Sequence, residues 1–273
     1  MAHPMPEVEK LAAIFESCRP AAVAVSGGVD SMTLAFLAHR HLGDAVTMFH
    51  TLSPAVPPLA TERVEAYGKK EGWQLQVLDA GEFADENYLA NPANRCFFCK
   101  SNLYGSLAKA TGAQLLSGTN LDDLGDWRPG LKAASNNDVR HPFVEAEIDK
   151  AKVRALARNH GLTDLADLPA APCLSSRVET GIRIDAEMLR FIDGTEAMLR
   201  ERLSPDTVRC RVRQDGVVIE LDRAALEGVT ENRRGEIEQD IRENLPANAA
   251  GLPISFQAYR RGSAFLRETL DGR

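Results

Sequence analysis

Residues Val23-Ala24-Val25-Ser26-Gly27-Gly28-Val29-Asp30-Ser31 constrain this chain more than any other stretch. A short apolar run of β-forming type ends in Ser-Gly-Gly, and a helical pattern with Leu34, Phe36 and Leu37 follows. The segment predicts a strand, a tight turn and a helix N-terminus. Successive backbone N–H groups and the positive end of the helix dipole suit a phosphate or pyrophosphate there. Gly27 and Gly28 permit positive φ and close approach of a phosphate to the backbone. Ser26 and Ser31 add hydroxyl donors. Asp30 repels a bare phosphate, so its expected part is through Mg²⁺. The segment is not a Walker-A loop, which needs a lysine after its last glycine.

Strand signals at 21–25, 45–49, 74–78 and 114–117 alternate with helical signals at 6–17, 31–42, 59–71 and 100–110. Alternation of this kind predicts an α/β class with a doubly wound parallel sheet. Ligands of such sheets bind beyond the strand C-termini. That edge would carry Ser26–Ser31, His50–Ser53 and Gly118–Asp123. After about residue 177 the pattern changes to helix 185–203, strands 207–213 and 217–221 around Gln214-Asp215-Gly216, helix 223–244 and strand 253–258. We therefore expect two domains, 1–177 and a smaller α+β domain at 178–273.

The 273 residues are 44% hydrophobic and 26% charged, as in ordinary globular proteins. No run has the length of a membrane span, and the N-terminus lacks a signal-peptide core, so a cytoplasmic protein is expected. The net charge of −7 argues against a partner gripped by its phosphate backbone, such as tRNA. Five cysteines, an odd number, do not suggest a disulfide framework.

Five further segments carry chemistry. Gly118-Thr119-Asn120-Leu121-Asp122-Asp123 follows a strand, where paired acids suit Mg²⁺ held with phosphate oxygens. Arg128 and Lys132, just beyond, can meet phosphate or carboxylate. Arg95-Cys96-Phe97-Phe98-Cys99-Lys100 is a CxxC open to three readings: a redox dithiol, half a zinc site, or part of an iron–sulfur cluster with Cys173 as third thiolate. Pro172-Cys173-Leu174-Ser175-Ser176-Arg177 sets a cysteine near an arginine, which favours thiolate over thiol. Arg209, Arg211 and Arg213 alternate along a strand and share one face, suggesting an anion partner. Tyr259-Arg260-Arg261-Gly262-Ser263 reads as a second anion-binding turn or a charged surface loop. Cys18 and Cys210 read as structural.

SGGVDS resembles the PP-loop of the ATP pyrophosphatases, which cleave ATP between the α- and β-phosphates. With RCFFCK, GTNLDD, DWRPGLK, PCLSSR and YRRGS in this order across nearly the whole chain, the sequence resembles the LarE family of ATP-dependent sulfur transferases. The resemblance implies a PP-loop (adenine nucleotide alpha-hydrolase-like) fold. It also implies adenylation of pyridinium-3,5-biscarboxylic acid mononucleotide and conversion to thiocarboxylate, on the way to the nickel-pincer cofactor of lactate racemase. Ser26, Gly27, Gly28, Asp30, Ser31, Gly118, Asn120, Asp122 and Arg128 would meet ATP and Mg²⁺. Arg209 and Arg211 would meet substrate phosphate. Cys173, Ser176 and Arg177 would be catalytic, and Glu196 would join Asp30 in holding Mg²⁺. Family members either give up the sulfur of one cysteine or carry three cysteines with a [4Fe-4S] cluster. Cys96, Cys99 and Cys173 match the second kind. A sulfide donor and a homo-oligomer, a hexamer among the forms suggested, are implied partners. Two alternatives stay open: a tRNA thiolase of the same superfamily, and a non-catalytic nucleotide-binding protein.

Overall fold

The computed structural model describes residues 6–125, 129–170, 172–260 and 262–264. In chain order the elements are α1 (Pro6–Ser17), β1 (Ala21–Ala24), α2 (Val29–Leu42), β2 (Val46–Leu52), α3 (Pro58–Glu71), β3 (Gln74–Asp79), α4 (Glu86–Leu89), α5 (Arg95–Ala110), β4 (Gln114–Leu116) and α6 (Pro129–Ser135). Then come α7 (Pro142–Glu145), α8 (Lys150–Asn159), α9 (Thr163–Ala166), α10 (Ala186–Leu203), β5 (Val208–Arg213), β6 (Gly216–Leu221), α11 (Arg223–Gly228), α12 (Glu231–Asn244) and β7 (Ile254–Ala258).

The chain forms two compact units. One comprises Met1–Asp85 and Asn94–Ala171; the other comprises Glu86–Ala93 and Pro172–Arg273. The second unit thus begins at Pro172, ahead of the expected residue 178, and also takes in a short earlier segment. Hydrogen bonds explain the capture of that segment. Ile184 N–H donates to the Leu89 carbonyl and Gly181 N–H to the Asn91 carbonyl. The Asn91 amide, in the left-handed region at φ 52°, donates to the carbonyls of Glu179 and Ile182 at 2.8 Å each.

The first unit is an α/β layer structure around a four-stranded parallel sheet of order β3-β2-β1-β4. Strand β1 is central and built of small residues, so helices pack closely on both of its faces. Ala21 and Val23 join Met48 and Leu116 against Met32 and Ala35 of α2 and Val153 and Leu156 of α8. Ala22, pointing the other way, joins Phe49 and Leu115 against Tyr104 and Leu107 of α5. From β1 the chain moves one way to β2 and β3; β4 lies on the other side of β1. The crevice between β1 and β4 is therefore the topological switch point, where connections diverge and leave room for a ligand.

The second unit holds a three-stranded mixed sheet, β5-β6-β7. Strands β5 and β6 form an antiparallel hairpin, and β7 joins β6 in parallel. The single helix expected at 223–244 is two helices. Asp222 caps α11 by accepting from Ala225 N–H, and Thr230 caps α12 by accepting from Arg233 N–H. A new cap restarts the helix where the periodicity alone ran on.

A buried ion pair organises this unit. The Arg177 and Glu196 side chains are 3% and 1% exposed. Arg177 Nε and Nη2 donate to the two Glu196 oxygens at 2.9 and 3.0 Å. The same carboxylate accepts from Arg200 at 2.8 Å and from the Cys210 amide at 3.1 Å. One carboxylate thus joins the turn at 174–177, α10 and β5. Burial disfavours the Arg177 charge, but the Glu196 hydrogen bonds and charge outweigh it and hold the guanidinium above its usual range. Removing one partner of such a pair strands the other, at a cost of about 3–5 kcal/mol. Glu196→Gln is accordingly expected to lower the unfolding free energy by about 3 kcal/mol. Chemical denaturation followed by circular dichroism measures this, and an unchanged midpoint and slope would refute the organising role of the pair.

Candidate functional site

The loop at the end of β1 is locked by its own side chains. Ser31 Oγ donates to the Gly28 carbonyl at 3.2 Å and accepts from the Ser26 amide at 3.0 Å. The hydroxyls of Ser26 and Ser31 lie 3.1 Å apart. Gly27 adopts φ +78°, and a Cβ there would sit 2.6 Å from the Ala60 carbonyl oxygen, so only glycine fits. Gly28 caps α2 without a side-chain hydrogen bond, leaving the first amides of a 14-residue helix to face the loop. On one flank Arg63, from α3, donates to the Gly27 carbonyl at 2.8 Å. His50 Nδ1 lies 2.8 Å from the Val25 carbonyl, which can only accept, so Nδ1 carries a proton. His50 Nε2 is 2.9 Å from Thr61 Oγ1.

The loop after β4 lies directly on the α2 N-terminus. A Cβ on Gly118 would be 2.7 Å from Ser31 N and 2.8 Å from the Asp30 carbonyl carbon, so glycine is what permits the contact. Buried Asn120 then ties the two loops: its Nδ2 donates to Asp30 Oδ1 at 3.2 Å, and its Oδ1 accepts from Asp122 N–H at 3.0 Å. Asp123 Oδ2 accepts from the Asn120 amide, completing a capping box. Lys150, the first residue of α8, reaches Asp30 Oδ2 at 2.5 Å. Ser117 Oγ is 2.8 Å from His141 Nδ1, and burial holds that imidazole below its ordinary range. The structure thus brings together Ser26, Gly27, Gly28, Asp30, Ser31, Gly118, Asn120 and Asp122. Arg128 lies outside the described residues.

Among the described residues no group of three or more His, Cys, Asp or Glu side chains is close enough to hold a metal ion. Mg²⁺ needs fewer, because it keeps waters and shares phosphate oxygens; the oxygen donors of Asp30 fit that requirement. A cubane cluster needs at least three thiolates. Cys96 is exposed and Cys99 half-buried in the first turns of α5, where the helix dipole favours anions. These two thiols belong to the first unit and Cys173 to the second. The segment after the acidic loop packs on the CxxC: a Cβ on Gly130 would lie 3.0 Å from Lys100 Cγ and 3.6 Å from the Cys96 carbonyl oxygen.

In the second unit Cys173 is exposed and Cys210 buried; Cys18, in the first unit, is also buried. The Cys173 backbone is held from behind. The Cys173 carbonyl accepts from Ser176 N–H at 3.0 Å and from Arg177 Nη1 at 3.2 Å. Arg177 Nη1 also donates to the Pro172 carbonyl at 2.6 Å and to Ser176 Oγ at 3.1 Å. Ser175 is buried against the Tyr88 hydroxyl at 2.7 Å. Arg177 therefore shapes the turn that presents the thiol.

The arginine face of β5 contains a carboxylate that strand periodicity did not anticipate. Glu220, across the hairpin, pairs with Arg211 at 3.0 Å and Arg213 at 2.9 Å and accepts from Ser263 Oγ at 2.5 Å. Arg211 also donates to the Ser176 carbonyl at 2.9 Å, which ties β5 to the cysteine turn. Arg209 lies over the Tyr259 ring, 5.8 Å from its centroid. Burial, then the Arg177 charge, push Arg209 below the usual guanidinium range. Glu196, expected to hold Mg²⁺, has a side chain only 1% exposed, and both its oxygens accept guanidinium or amide N–H. Sequence reasoning missed Lys150, Arg63, His141 and Glu220. Only Asp149, which caps α8 by accepting from Lys152 N–H, marked the helix start that aims Lys150.

No protein-family model matches the chain. It is 39% identical over 219 residues to an uncharacterized protein of Synechocystis sp., covering 79% of this chain and 81% of that one. An uncharacterized protein of Methanocaldococcus jannaschii is 26% identical over 204 residues, 73% of this chain and 77% of its own. The pyridinium-3,5-bisthiocarboxylic acid mononucleotide synthase of Lactiplantibacillus plantarum is 30% identical over 221 residues, 79% of each chain. An identity of this size over most of both chains means that the protein belongs to the family of that synthase, the LarE family.

Proposed function

We propose that the chain is an ATP-dependent sulfur transferase that converts carboxylates of pyridinium-3,5-biscarboxylic acid mononucleotide into thiocarboxylates for a nickel-pincer cofactor. The observation that carries this reading is Cys173, an exposed thiol on a turn locked by a buried ion pair, in a member of a thiocarboxylate-forming family. A carboxylate is a poor electrophile until it carries a good leaving group. In the first step the substrate carboxylate oxygen attacks the α-phosphorus of ATP, and pyrophosphate leaves with the electrons of the broken P–O bond. The amides at the start of α2 and the hydroxyls of Ser26 and Ser31 would take up the pyrophosphate charge. Mg²⁺ bound through Asp30 would offset more of it. A sulfur nucleophile then attacks the acyl carbon, and AMP departs with the C–O electrons.

Two sources of that sulfur are chemically distinct. In one, Cys173 Sγ forms a thioester, and loss of the Cα proton breaks the Sγ–Cβ bond, leaving dehydroalanine and the thiocarboxylate. In the reading we favour, Cys96, Cys99 and Cys173 are thiolates of a [4Fe-4S] cluster, which would supply an extra sulfide for transfer. That reading carries with it an external sulfide donor, a cytoplasmic location and a homo-oligomer. The accessible thiols support it: the three cysteines it uses are the less buried ones, and the two it does not use are buried.

Intact-protein mass spectrometry after a single turnover tests both levels, using anaerobic cluster-reconstituted protein with ATP, Mg²⁺ and the mononucleotide. Sulfide-dependent thiocarboxylate with unchanged protein mass is the expected result. A loss of H₂S mapping to Cys173 would overturn the cluster reading but keep sulfur transfer, and absence of thiocarboxylate would overturn the substrate. The two half-reactions should also separate by mutation. Cys173→Ser is expected to abolish thiocarboxylate while substrate-dependent ATP–pyrophosphate exchange persists. Asp30→Asn is expected to slow that exchange about 100-fold. Equal loss of exchange in both variants would contradict the division of labour.

A further inference from the structure

Asp30 has a partner that the proposed Mg²⁺ role does not explain. Lys150 Nζ lies 2.5 Å from Asp30 Oδ2, with the two side chains 33% and 26% exposed. The other carboxylate oxygen, Oδ1, accepts from Asn120 at 3.2 Å. The Lys150 backbone amide donates to Asp122 Oδ2 at 3.3 Å, so the start of α8 is fastened to the same acidic loop. Asp149 caps that helix, which fixes where the Lys150 side chain begins. The ammonium is thus held by its helix and directed at the carboxylate expected to bind metal.

We infer that Lys150 is the built-in counter-ion of Asp30 and is exchanged for the divalent cation when metal and nucleotide bind together. This rests on the nucleotide reading above. A metal ion arriving alone must displace an ammonium from Asp30 and leave two cations crowded at one carboxylate. Metal arriving with a triphosphate brings the anionic oxygens that can receive Lys150. The pair therefore disfavours bare metal and couples metal binding to nucleotide binding. Arg63 supplies an internal contrast. It flanks the same loop from α3 through the Gly27 carbonyl rather than through Asp30, so its removal should weaken nucleotide binding without affecting bare metal.

The test measures Mn²⁺ binding to the nucleotide-free full chain by electron paramagnetic resonance, and Mg·ATP binding by calorimetry. Lys150→Met is expected to bind Mn²⁺ about fivefold more tightly than the unaltered chain. It should bind Mg·ATP about tenfold more weakly, the scale of one charge-assisted contact. Lys150→Arg should restore the unaltered Mn²⁺ affinity. Arg63→Met should weaken Mg·ATP and leave Mn²⁺ unchanged, and Asp30→Asn should remove the Mn²⁺ difference. Equal Mn²⁺ affinity in Lys150→Met and the unaltered chain would overturn the exchange. So would a matching gain in Arg63→Met, which would reduce the effect to general charge. If the unaltered chain binds no Mg·ATP, the nucleotide reading itself fails. If it binds and Lys150→Met tracks it for both ligands, only the exchange fails.

Discussion

The first unit depends on a place where no side chain can exist. At Gly27 the backbone takes φ +78° and passes so close to α3 that a Cβ would sit 2.6 Å from a carbonyl oxygen. That turn lets β1 end and α2 begin within a few residues, with the helix amides facing the sheet edge. Gly118 repeats the device from the other side, letting the loop after β4 rest on the backbone of Asp30 and Ser31. Two missing side chains bring together the loops that flank the β1–β4 crevice. The parallel sheet makes that crevice the place where helix N-termini and strand ends converge.

The second unit uses charge differently. Its buried arginines are committed to protein carboxylates, Arg177 to Glu196 and Arg211 to Glu220, and the half-buried Arg213 shares Glu220. Buried ion pairs add little net stability because desolvation offsets their attraction, yet breaking one is costly. Such pairs are better suited to holding geometry. Here the geometry is the turn of Cys173, whose carbonyl is held by Arg177 and whose neighbour Ser176 is held by Arg211. The Cys173 thiol is thus exposed on a backbone that is already ordered.

Much of the architecture was legible because periodicity and turn residues act locally. The central strands, α1, α3 and the hairpin at 214–216 lie where apolar alternation and glycine positions predict them. Misreadings occurred where a cap or a distant partner decided the outcome. Thr230 restarts a helix where the charge-rich pattern 223–244 runs on without a break. Helix α5 begins at Arg95 rather than 100, which places the CxxC in its first turns. Asn91 anchors Glu86–Ala93 to residues about 90 positions later. Strand alternation correctly put three arginines on one face but could not show the glutamate opposite them.

The sequence by itself determined the glycine turn between β1 and α2, the parallel α/β class and the β5–β6 hairpin. Each follows from short-range rules: glycine where φ must be positive, alternation where one face is buried, helix signals between strands. Only the tertiary structure decided which charges are spent on one another. Lys150 meets Asp30 across 120 residues, Arg177 meets Glu196 and Arg211 meets Glu220. Breaking a buried pair strands a charge, and such partners meet only when distant segments pack, so no local pattern records them.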